Sequence, residues 1–198
     1  MTVREGGDGP MRPSQQMRDL GIVQYGAPVL RDPARPFALP DERETLDTVV
    51  GQLLEVMERI RRAHDFSGKG LGLAAPQIGI GRSAAVVQPP GSDPIVLLNP
   101  RVTDASEDMD ERFEGCLSFF DVRAQVPRPL RITVETMTAA GSTEKAVYER
   151  GDARLIAHEI DHLDGLLLMD RMRPGVRPVP VEEYRRTAEA TGRPWSYE

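Results

Sequence analysis

The chain has 198 residues, 39% of them hydrophobic and 28% charged, enough for one globular domain with a full core. Its net charge of −6, with the basic residues almost all arginine and scattered, argues against a nucleic-acid surface. One cysteine excludes an internal disulfide framework and fits a reducing compartment, although a lone thiol also serves as a reactive or ligating group.

No stretch approaches the roughly 18 apolar residues of a membrane span. Met1 to Gln16 lack an apolar core for a secretory signal and carry Glu5 and Asp8, which disfavour a transit peptide. Their Gly, Pro, Arg and Gln content predicts a disordered extension over 1–17, and the expected location is the cytoplasm. After the irregular stretch Pro36 to Pro40, Asp41 is a candidate N-cap with Glu44 three residues on. Leu46, Val49, Val50, Leu53, Leu54, Met57 and Ile60 then follow helical spacing, which predicts an amphipathic helix ending near His64.

Beyond Gly68, Gly70 and Gly72 the pattern turns to strands. Ala84 to Val87 and Ile95 to Leu98 are short apolar runs of the buried-strand type. Leu130, Ile132 and Val134 alternate with polar residues, and Ala139 to Gly141 predict a turn into a partner strand over 144–149. A second helix is expected from about Asp152 to Leu163, stopped by Gly165. Pro174, Pro178 and Pro180 break the chain, and Val181 to Ala190 form a polar helix with a weak apolar face. The prediction is a single α+β domain over 18–175, with antiparallel strands packed around the second helix, an amphipathic helix N-terminal to it, and a tail over 176–198.

That second helix carries His158, Glu159, Ile160, Asp161 and His162. Residues four apart lie one turn above each other, so both imidazoles reach one metal ion, and Glu159 stands beside a metal-bound water without ligating the ion. The bland alternative is two core histidines. A third ligand is usual, and no histidine follows His162; Cys116, in the run Glu114 to Ser118, is the remaining soft donor. A competing view makes Cys116 a nucleophile with a histidine base, and another a buried structural thiol. In Gly70 to Gln77, small residues allow close backbone approach, and the Gln77 amide suits a developing oxyanion; alone this run is a weak signal.

In this order the runs Gly70 to Gln77, Glu114 to Ser118 and His158 to His162 resemble the GxGxAAxQ, EGCLS and HExDH segments of the peptide deformylase family. Asn99-Pro100, Arg123, Pro127-Arg128, Leu163 to Gly165 and Asp170-Arg171 match it too, over about residues 20–172. The resemblance implies that Cys116, His158 and His162 hold one divalent metal, with water as fourth ligand. Glu159 would take a proton from that water and return it to the leaving amine, while Gln77 and the Leu117 amide hold the formyl oxygen. Gly70, Leu71 and Gly72 would pair with the peptide backbone, with Arg123 and Arg154 also on the substrate side. The substrates implied are formyl-methionyl ends of new polypeptides, met near the ribosome, with no direct nucleic-acid site and no membrane. Ligand softness admits Zn²⁺ or Fe²⁺, and the family's usual Fe²⁺ is the expectation.

Three places depart from the family pattern. Phe119, Phe120 and Asp121 replace an apolar residue followed by Pro and often Gly, and Ala157 precedes His158 where Gln is common. Arg154 stands where an apolar residue often lines the methionine pocket; its head is expected in solvent and its stem along the pocket. His64 is left over as a surface residue. A general zinc peptidase and a metal-stabilised binding module without catalysis are the other function classes weighed.

Overall fold

Pro13–Asp19 is a helix, α1, in the computed structural model, which describes residues 12–66 and 68–191. Proline at its start suits a position whose N–H has no helical acceptor, and Met17 is fully buried. The extension expected over 1–17 is therefore corrected at its C-terminal end, because Met17 supplies apolar burial and Asp121 accepts both the Ser14 N–H (2.8 Å) and the Ser14 hydroxyl (2.5 Å). The part of it before residue 12 lies outside the described residues.

Helix α2 runs Arg43–Ala63 and buries Leu46, Val49, Leu53, Val56, Met57 and Ile60 as one stripe. The expected cap at Asp41 is not formed. The neighbouring Glu42 carboxylate is turned instead to the entry segment, accepting from Ala38 N–H and Arg82 Nη2, each at 2.7 Å. His64 ends the helix as expected, but it is half-buried against the rings of Phe66 and Phe120 rather than spread on the surface.

Among the described residues nine strands follow in three antiparallel sheets. The first is β1 (Leu71–Ala74), β2 (Ala84–Gln88) and β3 (Ile95–Leu98), paired in that order, so among the described residues β1 has one edge without a strand partner. The second is β4 (Arg101–Ala105), β7 (Arg131–Met137) and β8 (Thr143–Glu149), in the order β4-β7-β8. Its β7–β8 hairpin is the one expected from the Ala139 to Gly141 turn. The third is β5 (Met109–Cys116), β6 (Phe119–Pro129) and β9 (Val179–Pro180), ordered β5-β6-β9. Helix α3 spans Arg150–Leu163 and gives way to Gly165 at φ 74°. A Cβ there would meet the Arg31 carbonyl oxygen at 2.5 Å, so close packing and backbone angle both require glycine. Helix α4 covers Val181–Thr191.

The first sheet is the middle layer. Leu73, Ala84 and Val86 face the α2 core, while Ala85, Val87 and Leu97 face Ile156, Ile160 and Leu163 of α3 with Ile132 and Val134 of β7. With both faces covered, its strands read as unbroken apolar runs rather than alternating ones. This α+β arrangement fixes α3 against β1, the step that builds the site.

Candidate metal centre

The β5–β6 hairpin turns in two residues, Leu117 and Ser118, with Cys116 opposite Phe119 and a register shift at Gly115. Glu114 and Cys116 are both buried on one face of β5, and that face meets α3. Cys116 Sγ lies 3.2 Å from His162 Nε2. The ligand atoms of Cys116, His158 and His162 all fall within 4.8 Å of one another, and all three residues are buried. The spacing of four on α3 puts both imidazoles on one side, their rings 5.0 Å apart.

Electrostatics favours ionised donors here. Burial pushes the Cys116 thiol up, but the His162 charge and the hydrogen bond from His158 outweigh it and bring the thiol down to about 5. His158 donates Nδ1–H to Glu114 Oε2 at 3.0 Å, which leaves its Nε2 for the centre. Burial also opposes the Glu114 charge, yet Arg128 and His158 hold its carboxyl well below the usual range. Arg128 grips Glu114 with Nε and Nη2, both at 3.0 Å, and Asp161 with Nη1 at 2.5 Å; Arg171 closes the chain on Asp161.

Glu159 points the other way, into the site, and its Oε2 is buried with no hydrogen-bond partner. Burial raises it to about 7 against the charges of His158 and His162. It fits only because residue 72 lacks a side chain: a Cβ on Gly72 would sit 2.2 Å from Glu159 Oε1. Gln77 accepts the Ala74 N–H through Oε1 (2.9 Å), which fixes its amide orientation. Its Nε2 donates to Ser118 Oγ at 3.3 Å and lies 3.7 Å from Cys116 Sγ.

A cleft of about 330 Å³ opens onto this group. Gly70, Leu71, Gly72, Gln77, Leu117 and Arg123 all line it, as do Phe120 and His64. A soft thiolate, two imidazoles and an unpartnered buried carboxylate oxygen beside them are the donor chemistry of a mononuclear Zn²⁺ or Fe²⁺ centre, so the residues fit such an ion.

The polypeptide deformylase family model matches residues 20–177. The chain belongs to that family. The chain is 39% identical over 150 residues to the peptide deformylase of Desulforudis audaxviator, covering 76% of this chain and 91% of that one. It is similar to the crystal structure of peptide deformylase from Thermotoga maritima, with TM-score 0.67 and 33% identity over 77% of this chain and 97% of that one. It is also similar to a deformylase structure from Acinetobacter baumannii with Met-Ala-Ser bound, at TM-score 0.67 and 28% identity, covering 76% and 96% of the two chains. Peptide deformylases are hydrolases, and this chain is one of them.

Against the deformylase pattern, Arg154 needs correction. Its guanidinium is not in solvent but buried, donating Nη1 to Glu114 Oε1 (2.6 Å) and Val126 O (2.9 Å), and Nη2 to Asp110 O (3.0 Å) and Asp110 Oδ1 (2.5 Å). The Glu114 carboxylate attracts it more strongly than water does, so it lines the cleft as the second arginine on the residue that orients His158. The other departures divide their work. Phe119 stacks on Tyr25 at 4.9 Å, Phe120 walls the cleft, and Asp121 docks α1.

Sequence reasoning quoted Glu114 and Arg128 without giving them a job, although Glu114 lies two residues from Cys116 and so on the same strand face. The helix expected over Val181 to Ala190 is present as α4, but its part in the site was not expected: it sends Val181, Tyr184 and Arg185 to the cleft, and Tyr184 packs on Phe113 at 5.1 Å.

Proposed function

We propose that this chain removes the N-formyl group from formyl-methionyl ends of newly made polypeptides, in the cytoplasm and close to the ribosome, through one catalytic domain over 18–175. The observation that carries the mechanism is the buried Cys116, His158 and His162 donor set with the unpartnered Glu159 oxygen beside it. Cys116 Sγ and the two imidazoles would hold the ion, Fe²⁺ in the cell with Zn²⁺ as the alternative; when bound it supplies Lewis acidity and lowers the pKa of water.

The chain's own groups do the rest. An amide is a weak electrophile with a poor leaving group, so a proton must be removed from water and later given to the amine. Glu159, raised by burial to about 7, is suited to do both. Gln77 Nε2, locked by the Ala74 N–H, and the Leu117 amide donate to the formyl oxygen as it gains charge. The edge of β1 that has no strand partner among the described residues, at Leu71 and Gly72 with Gly70 just before it, pairs with an extended peptide backbone. Met-Ala-Ser bound to the Acinetobacter relative supports an extended peptide as occupant.

The test is formate release from formyl-Met-Ala-Ser by the full chain, prepared anaerobically with Fe²⁺. Turnover is expected, and Cys116→Ala should lose both bound metal and turnover. Absence of formate, or casein cleavage indifferent to the formyl group, would overturn the proposal.

A further inference from the structure

The protein has a net charge of −6, yet its cleft walls carry several guanidinium groups. Among the described residues, Arg123, Arg150 and Arg185 line the cleft without a carboxylate within ion-pair distance. The acids on the same walls are largely engaged. Asp110 and Glu114 are held by Arg154, Glu159 faces the metal centre, and Asp65, also on the wall, is itself engaged.

Three separate elements deliver these cations. Arg123 on β6 lies over Gly115, where a Cβ would come within 2.9 Å of its Cζ, and it donates Nη1 to the Val122 carbonyl at 2.7 Å rather than to an acid. Burial and the Arg185 charge push Arg123 below its ordinary range, outweighing the opposite pull of Tyr184 and Cys116. Arg150 opens α3 at φ 50°, a left-handed angle that a side chain adopts under strain, with its N–H tied to Leu130 O at 2.7 Å. Arg185 comes from α4, beyond residue 177 where the family match ends. A low-dielectric cleft focuses such a field on whatever enters it.

We propose that Arg123, Arg150 and Arg185 select formyl peptides bearing a carboxylate within the first few residues after the formylated one. This rests on the deformylase reading and names the class of peptide that the cleft prefers. A carboxylate accepts charge-assisted hydrogen bonds from guanidinium groups, often two at once. It is supplied either by an acidic side chain or by the C-terminus of a short peptide.

The test compares formyl-Met-Ala-Glu-amide, formyl-Met-Ala-Gln-amide and formyl-Met-Ala-Gln with a free C-terminus, using the metal-loaded full chain. At low ionic strength kcat/KM should be about tenfold higher for an anionic peptide than for the neutral amide, and the gap should narrow in high salt. The Glu-amide and free-acid arms separate the two sources of the carboxylate. Arg185→Gln and Arg150→Gln, both exposed positions, should each lower the anionic-to-neutral ratio, and the double variant, which keeps Arg123, should lower it further. Equal kcat/KM for all three peptides, or a ratio left unchanged by the double variant, overturns the selection. Absence of formate from every peptide overturns the deformylase reading, and this one with it.

Discussion

Helices α2 and α3 are both amphipathic, yet they bury opposite chemistries. The inward face of α2 is apolar throughout, from Leu46 to Ile60. The inward face of α3 holds Arg154, His158, Glu159, Asp161 and His162 among Ala153, Ile156, Ile160 and Leu163. Each apolar residue of α2 gains stability by leaving water. Arg154, His158 and Asp161 of α3 lose hydration and are retained because partners on the β5–β6 hairpin meet them, whereas Glu159 keeps a carboxylate oxygen without one. Arg128 shows the cost of the second arrangement, since it must satisfy Glu114 and Asp161 at once. Stability is concentrated on one side of the first sheet, and reactive groups are held on the other.

Substitutions on the two helices should therefore separate activity from stability. The largest effect is expected for Glu159→Gln, with kcat lowered about 10²–10⁴-fold and metal content unchanged. Its stability should move the opposite way. Glu159 is raised from 4.5 to about 7, so between those values the folded chain holds a proton that the unfolded chain has released. Its contribution to stability falls as pH rises through that window, and glutamine escapes the penalty. Urea melts in chelator should show the variant more stable by about 3 kcal/mol at about pH 8, with little difference below pH 4.5. Equal stability at both ends would break the contrast.

On α2, Leu53→Ala should cost about 2–5 kcal/mol in the same melts and leave kcat per folded molecule unchanged. Arg154→Met crosses the boundary between the two behaviours. Glu114 keeps Arg128, so the stability loss should be on the order of 2 kcal/mol, less than for a sole partner. A looser Glu114 should weaken metal affinity about tenfold in a chelator titration, through its bond to His158. Smallest is Asp121→Asn, about 1 kcal/mol, read as faster hydrogen exchange in α1 with no change in turnover.

The parts of the site legible in the sequence are those written locally. His158 and His162 lie one helical turn apart, Cys116 ends a strand at a hairpin turn, and Gly72 lies within a short apolar strand. Each needs only a few neighbours to be understood. Arg154 was misjudged because its partners Asp110 and Glu114 lie 44 and 40 residues away on another element. The same distance problem hid α1, since Ser14 and Asp121 are 107 residues apart. The cap expected at Asp41 is absent; local capping rules do not see Arg82, whose guanidinium draws the Glu42 carboxylate to the entry segment. α4 shows too weak an apolar face in isolation, because its inward side chains meet the cleft wall rather than a hydrophobic core.

The separation between Cys116 and His162, 46 positions along the chain, also sets an order of events in folding. Strands β6 to β8 lie between them, so the donor set closes only after the β5–β6 hairpin docks on α3 and that loop's entropy has been lost. An ion added to refolding protein therefore acts after the nucleus has formed. It should slow unfolding while leaving the folding rate almost untouched, which makes metal uptake a clock for the last step of assembly.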